Sequence, residues 1–182
     1  VNPDILVSLA FDLLSVYKSF KTLRYGNKLF GNSLIKRIVN NFDIYIFPLA
    51  NPDGRVHAQN VRSFWRMNRN PNGGHTSSIC GLDGKGVDVN RNFDFLWNSG
   101  IHTSTDPCHC DQIYKGTSPF SEPDSRNIRS ILDNSLIDSM VDVHSYRESV
   151  LYPWQIDENQ TTDINMNFRN PAYDGRGGYR ND

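Results

Sequence analysis

The order of periodicities along this chain predicts an α/β layer fold. Residues 3–20 carry apolar side chains at helical spacing, and "FDIYIFPLA" over 42–50 alternates as a strand does. A capped helical stretch from 121 to about 134 then leads into the apolar run that ends in "MVDVHSY". Helices interleaved with strands bury their apolar faces as packed layers. Bulk composition agrees with one domain: 182 residues can enclose a core, and 37% hydrophobic with 21% charged residues is the balance of a globular protein, not a disordered one.

The first helix follows from Ile5, Leu6, Leu9, Ala10, Leu13, Leu14, Tyr17 and Phe20, which form one stripe. Asn2 suits the N-cap and Pro3 the first helical position. A shorter helix is expected over 32–40. The strand over 42–50 is rich in β-branched and aromatic residues and ends near Pro48. From 51 to about 119 Gly, Asn, Pro and Ser recur, which reads as loops of the kind that carry binding or chemistry. Ser121-Glu122-Pro123-Asp124 resembles a capping box opening the next helix, and strands are expected at roughly 137–144 and 149–153. There is no internal repeat and no linker, so 1–182 reads as a single domain.

Charge and cysteine content narrow the function classes. Nineteen Lys plus Arg against twenty Asp plus Glu give a net charge of −1, which offers no electrostatic reason for nucleic acid or an anionic membrane as partner. No apolar run approaches the roughly 20 residues that span a bilayer. Cysteines stand at 80, 108 and 110, and a disulfide from Cys80 to Cys108 or Cys110 would suit an exported, secreted or periplasmic protein. Asn159-Gln160-Thr161 fits a glycosylation acceptor, a short and weak pattern.

Four stretches within the loops concentrate polar chemistry. "NPDG" (51–54) follows the strand and, taken alone, is a turn. "FWRMNR" (64–69) sets Arg66 and Arg69 beside Trp65. "GVDVNRNF" (86–93) alternates, so an extended backbone would point Asp88, Asn90 and Asn92 one way and Val89 and Arg91 the other. His144 stands where an apolar strand should emerge from a sheet. Each has a bland reading in isolation.

Taken in order, "NPDG" (51–54), "WR..R" (65–69), "GVDVNRNF" (86–93), "Y.G..PFSEP" (114–123) and "HSY…LYPW" (144–154) resemble the zinc metallocarboxypeptidases related to pancreatic carboxypeptidase A, the M14 family. The resemblance implies a mixed β-sheet flanked by helices and hydrolysis of the last peptide bond of peptides or proteins. It implies zinc as cofactor, a substrate with a free C-terminal carboxylate as partner, and a monomer. His144 matches a zinc-ligating histidine, and Asp88 a residue that hydrogen-bonds another zinc histidine and fixes its tautomer. Arg66 matches the arginine beside the developing oxyanion. Asn90 and Arg91 match the pair that grips the terminal carboxylate, a task a planar guanidinium suits. Ser145 and Tyr146 match residues lining the subsites upstream of the cleaved bond, and Arg69 is left structural.

Departures are also visible. The family's His-x-x-Glu is absent: His57, His75, His102 and His109 are followed three residues on by Asn, Ser, Thr and Gln. The chain is therefore expected to be an internal stretch of a longer enzyme, inactive alone, with that motif upstream of it and the general-base Glu downstream. Gln155 stands where the family commonly has Gly, and the segment around Cys108 and Cys110 carries extra residues. Three alternatives remain. One is a non-catalytic relative that binds peptide C-termini. Another is a different hydrolase of the same fold, such as a deglutamylase, a cell-wall endopeptidase or an amidase. The last is a plain interaction module.

Overall fold

The structure is a computed structural model, and it describes residues 3–73, 85–95, 97–98, 112–144 and Val150. These divide into two compact units, one of residues 3–50 with 141–144, the other of residues 51–140 with Val150.

In the first unit, helix α1 (Pro3–Lys18) leads into an antiparallel hairpin of β1 (Leu23–Tyr25) and β2 (Lys28–Phe30), followed by helix α2 (Asn32–Asn41). The register is Leu23↔Phe30, Arg24↔Leu29, Tyr25↔Lys28. Its two-residue loop requires positive φ at the first central position, and Gly26 supplies it at φ +56. The C-terminus of α1 leaves carbonyls without helical partners, and Asn32 at the start of α2 donates its side-chain amide to those of Val16 and Ser19. Val16, Leu23 and Ile35 form the core, with Leu13, Phe30 and Val39 packed against it. Tyr25 Oη donates to Asp12 Oδ2 at 2.7 Å, tying the hairpin to α1.

Both helices lie where periodicity placed them, but the core stripe of α1 is narrower than expected. Val16 is the buried position, while Ile5, Leu14 and Phe20 are exposed. The strand expected over 42–50 is not a strand, and Phe42, Ile44, Tyr45 and Phe47 are exposed. The same holds for 137–144, with Met140 and Val141 exposed. The reason is common to both: β-propensity is realised only against a hydrogen-bonded neighbour, and among the described residues neither segment has one. The strand expected at 149–153 lies outside the described residues except for Val150. The class is nonetheless mixed α/β, with four helices and a two-stranded sheet among the described residues.

The second unit contains helix α3 (Pro52–Asn60), a 3-10 turn at Val89–Arg91 and helix α4 (Pro123–Asn134). Helix α3 corrects the turn reading of "NPDG". Asn51 is its N-cap, accepting from Gly54 N at 2.9 Å, and Pro52 sits at the first helical position. The helix is nearly devoid of apolar side chains, so periodicity gave no sign of it. Helix α4 begins after Glu122 with Pro123 in the first turn, one residue later than the capping box suggests. The Ser121 hydroxyl is turned instead to Glu122 Oε1 at 2.9 Å.

Trp65, Met67, Val87 and Tyr114 make the apolar core of this unit, with Ala58 of α3 against it. Beside it lies a polar core. Asn92 is fully buried, donating to the carbonyls of Lys115 (2.9 Å) and Ser118 (3.1 Å) and to Ser121 Oγ (2.8 Å). Its Oδ1 accepts from Glu122 N and Ser125 Oγ. Buried Glu122 accepts in turn from Asn68 and Asn70 through Oε2, at 2.7 and 2.9 Å. Buried polar groups survive only when satisfied in this way. The network fixes the loops around 68, 92 and 122 to one another.

Candidate functional site

Arg66 sits between two interior residues. Trp65 and Met67 are buried, so the side chain between them points outward, 44% exposed. Its backbone is clipped from two sides. On one, Asn51 Nδ2 donates to Met67 O at 3.0 Å and reaches Arg66 O at 3.5 Å. On the other, Gln112 Oε1 accepts from Arg66 N at 3.0 Å, and Gln112 Nε2 donates to Phe64 O at 3.1 Å.

Asp88 is the interior anchor. Its N–H donates to Tyr114 O at 2.8 Å. Its Oδ1 accepts from Asn90 N at 3.2 Å and so turns the chain into the 3-10 turn. That turn corrects the extended reading of 86–93: Asp88, Val89 and Asn92 face inward, while Asn90 is exposed and Arg91 is 33% exposed. Asn90 and Arg91 are thereby presented together.

Two guanidiniums converge on one carboxylate oxygen. Arg66 Nη2 lies 2.7 Å from Asp88 Oδ2 and Arg91 Nε lies 4.0 Å from it. Burial pushes the Asp88 carboxyl above the usual carboxylate range, and the guanidiniums of Arg66 and Arg91 oppose that rise. Oδ2 is sealed from solvent and has no hydrogen-bond partner among the described residues, the Arg66 guanidinium standing beside it as an ion-pair partner. One carboxylate against two guanidiniums leaves a local positive excess that faces solvent through the arginines. Such a group can hold an anion.

Of the residues singled out in the sequence, Arg66, Asp88, Asn90 and Arg91 are brought together. Arg69 instead lies over the Trp65 ring, 4.8 Å from its centroid, as befits a structural residue. His144 belongs to the other unit, where Nε2 is 2.8 Å from Asp142 Oδ2 and the bond holds Asp142 below its ordinary range. Ser145 and Tyr146, with Cys80, Cys108 and Cys110, lie outside the described residues. The described residues do not make a zinc site by themselves: no three His, Cys, Asp or Glu side chains among them gather to hold a metal. One imidazole backed by a carboxylate is a fraction of the three-ligand set a catalytic zinc needs. The clips Asn51 and Gln112 went unrecognised in the sequence. Asn51 had a signal, since Asn-Pro is N-cap chemistry, whereas Gln112 had none.

The model of the zinc carboxypeptidase family, Peptidase_M14, matches residues 2–179. The chain is 42% identical over 119 residues to a carboxypeptidase B of Helicoverpa zea, covering 64% of this chain and 26% of that protein. It is 34% identical over 146 residues to a metallocarboxypeptidase A of Trichophyton rubrum, covering 78% and 32%. It is 33% identical over 150 residues to the human mast cell carboxypeptidase A, covering 81% and 32%. The chain thus spans about a third or less of the length of these relatives. By the extent of the family match, which takes in nearly the whole of it, this chain belongs to the zinc carboxypeptidase family.

Proposed function

We propose that the whole protein is a zinc-dependent carboxypeptidase that hydrolyses the C-terminal peptide bond of peptides and proteins, and that this chain carries its grip on the substrate's carboxylate. The supporting observation is the convergence of Arg66 and Arg91 on buried Asp88, with exposed Asn90 between them in sequence. Asn90 and Arg91 hold the terminal carboxylate, Arg91 through its planar guanidinium. Arg66 places fixed positive charge beside the oxyanion that develops on the scissile carbonyl. Asp88 Oδ2, sealed and without a hydrogen-bond partner among the described residues, is suited to accept from the imidazole N–H of a metal ligand. Ser145 and Tyr146 line the upstream subsites.

Zinc, when bound, polarises a carbonyl and lowers the pKa of a coordinated water. His144 is the ligand this chain offers. The reading includes one catalytic domain of which residues 1–182 are a part, and a monomer acting outside the cytosol, where a disulfide from Cys80 would persist. Among the described residues no helix is long and apolar enough to cross a membrane.

The test compares a blocked dipeptide carrying a free C-terminal acid with the same peptide amidated, using the whole zinc-loaded protein. Turnover confined to the free acid supports the proposal. Equal turnover of both removes the clamp. Binding of the free acid without cleavage moves the protein to the non-catalytic, C-terminus-binding relatives.

A further inference from the structure

Gln112 is buried, it is 46 residues from Arg66 in sequence, and both ends of its amide are engaged by the Arg66 loop. Oε1 accepts from Arg66 N at 3.0 Å and Nε2 donates to Phe64 O at 3.1 Å, so the amide brackets the peptide units on either side of Trp65. Its own backbone is in the left-handed region at φ +57, which a non-glycine residue adopts only when its surroundings impose it. The opposite face of the same loop is held by Asn51, through Met67 O and Arg66 O.

We propose that Gln112 is a positioning residue for Arg66: by bridging Phe64 O and Arg66 N it fixes the height at which the guanidinium emerges between Trp65 and Met67. The guanidinium has a second tether in Asp88 Oδ2 at 2.7 Å, but a side chain with four rotatable bonds can satisfy that contact from several backbone positions. The amide clip removes that freedom. A shift of about 1 Å in a charge-stabilising group can cost roughly 100-fold in rate, so the clip matters for chemistry more than for folding.

The inference rests on the catalytic reading of Arg66, and the experiment separates the two. Gln112→Gly removes the amide and relieves the left-handed backbone. Gln112→Asn tolerates that backbone but its amide is one methylene too short. In the whole zinc-loaded protein both should lower kcat by roughly 10- to 100-fold with KM within about threefold. In an Arg66→Ala background, Gln112→Gly should have no further effect, because it acts through Arg66. Amide hydrogen exchange gives a readout independent of activity. The Arg66 N–H should exchange at least roughly 10-fold faster in either variant, while Asn68 N–H, bonded to Val87 O at 2.9 Å, keeps its rate. Full activity with an unchanged Arg66 exchange rate overturns the inference, as does an equal loss in the Arg66→Ala background. An Arg66→Ala protein with full activity would instead overturn the role of Arg66 and leave the exchange result standing.

Discussion

Arg66 and Asp88 meet at 2.7 Å across an unequal boundary: the carboxylate is 3% exposed and the guanidinium 44% exposed. The acid carries the desolvation cost, and the base keeps much of its water. A buried carboxylate whose pKa is raised despite two neighbouring cations contributes little net stability. Asp88→Asn should therefore change unfolding free energy by no more than about 1 kcal/mol, because Oδ1 still accepts from Asn90 N and the arginines can be solvated. Asp88→Ala should cost more, about 1–2 kcal/mol, because it removes the side-chain cap that accepts from Asn90 N and sets the 3-10 turn. Denaturant unfolding of the two variants checks the contrast, and equal losses would mean the charge itself holds the site together.

Asn92 is expected to be the most sensitive polar position of the second unit. Its amide serves Lys115 O, Ser118 O, Ser121 Oγ, Glu122 N and Ser125 Oγ, and the bonds to Lys115, Glu122 and Ser125 are buried. Asn92→Ala strands several of these at once. The expected loss is about 3 kcal/mol or more, since each unsatisfied buried group costs about 1–3 kcal/mol. Asn92→Asp should be no better, because a carboxylate cannot donate to three acceptors and would stand one Ser121 hydroxyl away from the Glu122 carboxylate. A melting temperature unchanged in Asn92→Ala would show the network to be dispensable.

What the sequence made legible was whatever repeats or punctuates. The stripe of α1, the helix expected over 32–40, the helix opening near Ser121 and the ordered motifs holding Arg66, Asp88, Asn90 and Arg91 were all readable before any coordinates. Elements set by a single residue's local chemistry were not. The Asn51 cap made a helix of what looked like a turn, and the Asp88 carboxylate curled an alternating stretch into a 3-10 turn. The Gly26-Asn27 pair was a hairpin signal that went unread between two helices. The 42–50 stretch failed in the opposite direction: its local pattern was strand-like, but a strand exists only through its partner.

Tyr25 gives the first unit an alkaline limit. Burial, together with the hydrogen bond to Asp12 and the charge of that carboxylate, pushes its hydroxyl from 10.0 up to about 12. A folded-state value above the unfolded one favours the protonated phenol in the native state. The contribution is therefore complete below pH ~10 and is lost as the pH rises from ~10 towards ~12. Tyr25→Phe should be less stable than the parent at neutral pH and should lack this additional fall in the alkaline window. Unfolding measured at several alkaline pH values compares the two slopes; parallel slopes would show that the Tyr25–Asp12 bond does not persist in solution.

Arg91 separates carboxylate recognition from catalysis. Its Nε is 4.0 Å from Asp88 Oδ2, looser than the Arg66 contact, its Nη1 makes only a long 3.5 Å bond to Asn90 O, and a third of its side chain meets solvent, so the guanidinium can turn to a ligand. If it grips the terminal carboxylate, Arg91→Ala should lower kcat/KM for a free-acid dipeptide by roughly 100-fold or more, mostly through KM, as removal of a charge-assisted bidentate contact does. The residual activity on the amidated peptide, which has no carboxylate to offer, should not change. Arg91→Lys should recover only a part of the loss, because an ammonium restores the charge without the two-pronged geometry. Steady-state kinetics on the acid and amide pair reads both effects at once. If Arg91→Ala slows both substrates equally, Arg91 acts on the chemistry or the fold, and the carboxylate must be bound elsewhere.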